Sequence, residues 1–279
     1  MTESAEQLRS TAAQEPVAAE IDTNTPAISR VYDYLLGGKN NYDVDREACQ
    51  AMIDAVAETP LLARANRSFV RRAVEYLVGE AGIKQIVDIG SGLPTAGNVH
   101  EIAQAIEPSV RVVYVDKDPI VLAYGRALLS TDDNTTVITA DLRDPDGIFA
   151  DPEVRRLIDT SEPFAVLLGG VMMHLEDHED PEGVAARLRA QLPSGGYLVH
   201  CGCADPGDPR AKELNRIFME TSMGSRCFRP VAEQRVYFDG LDLIEPGFVA
   251  VNTWRPNADF PDPGNPAHAM LVGGIGRKP

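Results

Sequence analysis

From Lys84 onward the chain alternates short apolar runs with helical segments, and this rhythm restricts its fold more than any other feature. The runs occupy residues 85–89, 110–115, 136–140, 164–168 and 197–201. They are rich in β-branched residues and lack strict alternation, the pattern of strands covered on both faces. Between them, residues 97–106, 119–129, 151–158 and 181–192 read as helices. Strand, helix, strand repeated in this way predicts an α/β fold with a doubly wound, mostly parallel sheet. Further on, 209–222 and 230–238 read as helices, and 241–244, 248–251 and 268–275 as strands. Two late strands joined without a helical crossover predict an antiparallel edge.

Upstream of the rhythm, residues 1–24 are polar and mostly acidic, which predicts a disordered acidic tail. Thr25-Pro26 suits a helix start, Ile28, Val31, Tyr32 and Leu35 follow at helical spacing, and Gly37-Gly38 ends the helix. Helices over about 44–57 and 60–78 come next. Residues 25–279 therefore read as a single domain, with 25–82 a helical cover or lid and 83–279 the core. Lys+Arg 26 against Asp+Glu 42 leaves a net charge of −16, which works against nucleic acid or an anionic membrane as partner and favours a small molecule. The four cysteines show neither a C-x-x-C pair nor a repeated spacing, so neither a metal site nor a disulfide framework is expected. No stretch approaches a membrane span or a signal peptide, and a cytoplasmic location is expected.

In open α/β sheets a ligand sits beyond the carboxyl ends of the strands. Here the first strand runs through Asp88 into a Gly90-Ser91-Gly92 turn, whose glycines allow close backbone approach. A lone G-x-G also serves as a plain strand-to-helix turn. Two further strand tips strengthen the reading as a cofactor site. The second strand ends in Asp116, with Lys117 next, where a carboxylate accepts hydrogen bonds from both hydroxyls of a ribose. The third ends at Asp141-Leu142, where a carboxylate accepts from an adenine amino group and a backbone N–H donates to the ring. Both aspartates equally suit helix caps. A dinucleotide fingerprint would put a third glycine at the position of Thr95, and Asp88 would repel a pyrophosphate. The same carboxylate suits the positive amino group of S-adenosylmethionine.

The D-x-G-x-G of residues 88–92, Asp116 and the Asp141-Leu142 pair resemble the three cofactor motifs of class I S-adenosylmethionine-dependent methyltransferases. Residues 30–42 (RVYDYLLGGKNNY), 63–67 (ARANR), 88–100 (DIGSGLPTAGNVH), 113–119 (VYVDKDP) and 140–145 (ADLRDP) more specifically resemble a bacterial family of S-adenosyl methyltransferases long catalogued as a domain of unknown function. The likeness runs from about Thr25 to Pro279. It implies a Rossmann-like, seven-stranded methyltransferase sheet with an antiparallel last strand, S-adenosyl-L-methionine as cofactor and S-adenosyl-L-homocysteine as product. It implies no particular acceptor.

Cofactor contacts are expected from Asp88, Gly90, Ser91, Gly92, Asp116, Lys117, Asp141, Leu142 and Gly169, with Arg64 holding the cofactor carboxylate. Beyond the fourth strand His174 is the preferred general base, if the acceptor needs one, although a capping or surface role fits it as well. Tyr32, Lys39, Asn40, Asn41 and Tyr42 surround a Gly-Gly hinge as a lid over a small-molecule site would, and fit a plain cover equally. A cofactor-binding regulator without transfer activity is the alternative function. A nicotinamide-dependent oxidoreductase is disfavoured by Asp88 and Thr95.

Overall fold

The computed structural model describes residues 22–94, 97–128, 133–221, 223, 226–258 and 260–279. The tail predicted for 1–24 lies outside the described residues except at 22–24. Eight strands form one sheet: β1 Gln85–Ile89, β2 Arg111–Asp116, β3 Thr135–Thr139, β4 Ala165–Gly169, β5 Tyr197–Cys203, β6 Asp242–Leu243, β7 Val249–Ala250 and β8 Leu271–Arg277. Their order is β3-β2-β1-β4-β5-β8-β6, with β7 also on β8. The first five run parallel, and β8 runs antiparallel to β5, β6 and β7. Since β5 occupies one side of β8 throughout, β6 and β7 share the other as a broken edge. Seven positions thus hold eight strands. The β1 side chains are all buried, as are those of β5, which accounts for their lack of alternation.

Helices α1 (Ile28–Leu35), α2 (Asp43–Ala55) and α3 (Thr59–Gly79) precede the sheet. Within it come α4 (Val99–Ile106), α5 (Pro119–Leu128), α6 (Pro145–Ala150), α7 (Pro152–Leu157) and α8 (Pro181–Gln191), and after β5 come α9 (Pro209–Glu220) and α10 (Val231–Arg235). The helix expected at 151–158 is α7 alone, and α6 precedes it. Asp151 separates the two in a non-helical conformation and caps α7 by accepting from the Glu153 N–H at 2.8 Å. His268, read as opening the last strand, lies in a 3-10 turn over Pro266–Met270, its Nε2 within 2.8 Å of the Asp262 carbonyl. The core lies on both sheet faces. One face is covered by α1 to α4 and α9 around Phe69, Leu77 and Trp254, the other by α6, α7 and α8 around Ile148, Phe164 and Leu168.

The N-terminal helices are tied together by one buried ion pair. Arg30 Nε donates to Asp45 Oδ2 at 2.7 Å, with the two side chains 4% and 0% exposed. Asp45 also accepts from the N–H groups of Ala27 (2.9 Å) and Tyr42 (2.8 Å), so one carboxylate holds the starts of both α1 and α2. Arg30 Nη2 takes the Thr25 carbonyl at 2.6 Å, which keeps Thr25-Pro26 outside the helix they were expected to begin. Removing one partner of such a pair strands a buried charge. Arg30→Ala is expected to destabilise the protein by about 3–5 kcal/mol, read as a lowered urea midpoint. A loss under 1 kcal/mol would show that the pair does not hold these helices.

Candidate active site

Parallel β1 to β4 end on the same side of the sheet, and their tips form the floor of a cleft of about 560 Å³. Its roof is the start of α1, and α3 forms one wall. At the floor, Gly90 has φ +71°, and a Cβ there would stand 2.3 Å from Val171 Cγ2 on the loop after β4. Only glycine lets the β1 and β4 tips meet this closely. Gly92 has φ +67° with open space where a Cβ would be, leaving the floor uncovered.

The amides of this turn are already committed. The Gly90 and Ser91 N–H groups donate to the Val115 carbonyl at 2.7 and 3.3 Å, and Gly92 N–H to Asp116 Oδ2 at 2.9 Å. The following helix does not present a free N-terminus either, since Asn98 N–H donates to Glu101 and His100 N–H to Tyr114 Oη. A pyrophosphate relies on such amides, and those of Gly90, Ser91, Gly92, Asn98 and His100 are not available to it. Beside Arg67, Lys117 and Arg143 the cleft is lined by the carboxylates of Asp88, Asp116 and Asp141, the chemistry that hydroxyl and ammonium donors require.

Asp116 receives the Asp118 N–H on Oδ1 at 2.9 Å, and burial raises its pKa above the usual carboxylate range. Asp88 is 7% exposed and has no hydrogen-bond partner among the described residues. Burial pushes its pKa up to about 7, opposed by the nearby Arg67 and assisted by Asp116. Asp141 is clasped by Arg143, whose N–H and Nε each lie 2.9 Å from Oδ1, and Arg143 reaches on to Glu179 at 2.6 Å. These contacts hold the Asp141 pKa low, so its carboxylate stays ionised beside the buried Leu142.

The structure brings Asp88, Gly90, Ser91, Gly92, Asp116, Lys117, Asp141, Leu142, Gly169, His174 and Tyr32 to this cleft. It does not bring Arg64, Lys39, Asn40, Asn41 or Tyr42. Arg64 lies on the exposed face of α3, and Arg67, one turn on, lines the cleft instead, with Nη2 on the Gly97 carbonyl at 2.8 Å. The polar loop after Gly37-Gly38 folds around buried Asp33, which accepts from Asn40 N–H at 2.8 Å and Asn41 Nδ2 at 2.9 Å. Tyr42 packs beneath the Arg30 guanidinium, 5.1 Å from its ring centre, and Lys39 is exposed. These residues are turn and cover. The roof is Pro26 to Ser29 and Tyr32, fastened by Ser29 Oγ donating to Asp118 Oδ2 at 2.7 Å.

At the far end of the cleft Tyr32, Asn66 and His174 converge. Asn66 Nδ2 donates to Tyr32 Oη and to the Gly169 carbonyl, both at 2.9 Å. Its Oδ1 is buried with no partner, as are Ser91 Oγ and His174 Nδ1. Burial holds the His174 pKa down to about 4 and pushes that of Tyr32 up to about 12, so both are neutral near pH 7. Sequence reading missed Asn66 and Arg67. Asn66 was detectable, because it interrupts the apolar stripe of Leu62, Phe69 and Ala73 on α3.

Residues 14–279 match the family model described as S-adenosyl methyltransferase. The chain belongs to that family. A candidate methyltransferase of Thermobifida fusca YX is 43% identical, with a TM-score of 0.88 over 92% of this chain and 96% of its own. A DUF574 family protein of Streptomyces avermitilis MA-4680 is 39% identical, with a TM-score of 0.89 over 93% and 100%. Human N-acetylserotonin methyltransferase, solved with S-adenosylmethionine, is 14% identical with a TM-score of 0.50 over 84% and 57%, and shares the fold alone. No functionally curated protein matches the chain. This member of the S-adenosyl methyltransferase family is thus a Rossmann-like, S-adenosylmethionine-dependent methyltransferase. Among the described residues no helix is long and apolar enough to cross a membrane, and no cluster of potential metal ligands occurs.

Burying the ionised form of Asp88 costs stability. Its folded pKa of about 7 lies above the ordinary 3.8, so the favourable protonated state is fully present below pH 3.8 and is lost as pH rises through 7. The cost above pH 7 is at most about 4 kcal/mol. Asp88→Asn should therefore raise the urea midpoint of the ligand-free protein at pH 8, with a smaller gain at pH 5. Equal gains at both pH values would refute the assignment.

Proposed function

We propose that this methyltransferase modifies a small molecule, with the donor lying along the β1 to β4 tips and the acceptor meeting it where Tyr32, Asn66 and His174 converge. The observation that carries this reading is the run of ligand-facing groups along one cleft: Asp116, Asp88 with Arg67, then the convergence of three neutral polar side chains. In this assignment Asp116 accepts from the ribose hydroxyls and Asp88 faces the donor's amino group. Arg67 replaces Arg64 as the partner of the carboxylate. Asp141 and Leu142 bound the adenine, with Arg143 keeping Asp141 ionised and in place. Lys117 borders the ribose end, and Gly90, Ser91, Gly92 and Gly169 keep the floor low.

When bound, S-adenosylmethionine supplies a methyl group on a sulfonium, already activated for displacement. The chain's own residues then have to align the acceptor, exclude water and receive a proton where the acceptor carries one. Tyr32, kept protonated, and Asn66 supply hydrogen bonds for alignment. His174, neutral near pH 7, is free to accept, and its low pKa suits an acceptor proton that becomes acidic only as the new bond forms. The net charge of −16 supports a small acceptor over a nucleic acid. Four free, buried cysteines support work in the reducing cytoplasm.

Calorimetric titration with S-adenosylmethionine tests the assignment. Arg67→Ala and Asp116→Ala should each weaken binding by about 10- to 100-fold, the loss of a hydrogen bond to a charged group, while Arg64→Ala leaves it unchanged. A silent Arg67→Ala would remove Arg67 from the site. Because a bound ammonium favours the ionised form of Asp88, binding near pH 7 should also release protons and tighten as pH rises from 6 to 8. Heats that do not vary with buffer ionisation enthalpy would contradict this, and Asp88→Asn should abolish the release.

A further inference from the structure

Behind the convergence of Tyr32, Asn66 and His174 the cleft opens into a second, smaller space of about 90 Å³. It lies between α1, α2, α3 and α9, closed by the ends of β5 and β8, and shares Tyr32, Asn66, Gly170 and His174 with the cleft. Its wall is aliphatic, thioether and aromatic, with Leu62, Leu214, Phe218 and Phe228 prominent. Among the described residues no charged side chain lines it. The Thr59 hydroxyl in its wall is already spent on the Val56 carbonyl at 2.7 Å. Two buried polar atoms at its mouth lack partners, Asn66 Oδ1 and His174 Nδ1.

The orientation of Asn66 is settled by its neighbours. Gly169 O can only accept, so the atom 2.9 Å from it is the amide nitrogen and the orphaned atom is the carbonyl oxygen. A buried oxygen of this kind lacks a donor, and a ligand is the group positioned to bring one. Apolar walls without a charge exclude an ionised group, whose desolvation nothing there offsets. Volume limits size as well: an apolar cavity of about 150 Å³ holds one benzene ring, so about 90 Å³ takes a short branched chain or part of a single ring, the remainder projecting into the cleft.

We infer that this chamber selects the methyl acceptor, and that the acceptor is a compact, uncharged molecule with an apolar end of at most one ring and a single hydroxyl or N–H donor directed at Asn66 Oδ1. The inference rests on the donor lying in the cleft as proposed above. Asn66 reads the donor group, Phe218 on α9 limits the length of the apolar end, the lack of counter-charge rejects carboxylates and phosphates, and the apolar wall leaves the hydroxyls of a sugar without partners.

Saturation-transfer NMR titration of the protein loaded with S-adenosylhomocysteine tests this with phenol, benzene, benzoate and glucose as probes. Phenol is expected to bind about tenfold more tightly than benzene, one hydrogen bond to the orphaned oxygen, with no binding of benzoate or glucose. Asn66→Leu should erase the preference for phenol over benzene. Phe218→Trp should block both rings and Phe218→Ala should admit 2-naphthol, with S-adenosylhomocysteine affinity unchanged in either variant because Phe218 lies outside the cleft lining. Preferential binding of benzoate or glucose, or phenol binding indifferent to Phe218→Trp, would overturn the inference while leaving the cofactor assignment intact. Failure of the wild-type protein to bind S-adenosylhomocysteine at all would instead overturn the reading on which it rests.

Discussion

The position of α3 on the sheet depends on one close contact. Phe69 is fully buried against the β8 backbone at Gly273, where a Cβ would stand 2.7 Å from the ring, and it meets Trp254 edge to face with ring centres 5.2 Å apart. That contact sets both the rotation and the height of the helix. Within a turn of Phe69 on either side, Asn66, Arg67 and Val70 consequently face the cleft, and Val70 packs toward Gly169 at the tip of β4. A bulkier residue at 273 would lift the helix, and with it every contact that α3 makes to the ligand-facing groups. Packing in the core and chemistry at the site are therefore the same constraint seen from two ends of four residues.

This dependence also explains what could be read from the sequence. Strand tips were legible because β-branched runs end abruptly at glycine or aspartate, and Asp88, Asp116 and Asp141 all reach the cleft. The choice between Arg64 and Arg67 was not legible. The two lie one turn apart, and which of them faces inward is decided by Phe69 meeting a glycine far along the chain. Whether the polar loop of Lys39 to Tyr42 forms a lid or a plain cover was open in the sequence for a related reason, and the loop does not line the cleft. Its asparagines satisfy Asp33, and its tyrosine packs on Arg30, so polar density recorded a buried turn rather than a ligand. The six-residue α6 escaped definition because it is formed by its neighbours more than by its own periodicity, whereas β6 and β7 lie inside the runs 241–244 and 248–251 read as strands and are only shorter than expected.

Charge is unevenly distributed along the cleft. Asp88 carries the cost of burial without a protein hydrogen bond, Arg67 tempers it, and Asp116 is steadied by the amides of Gly92 and Asp118. Groups at the acceptor end are instead neutral. In the placement proposed above, charge would be concentrated at the donor end of the cleft and absent at the Tyr32, Asn66 and His174 end, which would lower the local polarity there and discourage water as a competing acceptor.

Placing β8 between β5 and the broken edge has a consequence for the order in which the molecule takes shape. As the chain is synthesised, β1 to β5 can pair in sequence as they emerge, but the outer side of β5 stays open until residues 271–277 arrive. The seat for Phe69 arrives with them. The first helices to leave the ribosome are then among the last to settle, and the nascent chain has a sheet floor well before it has a wall from which to grip a ligand.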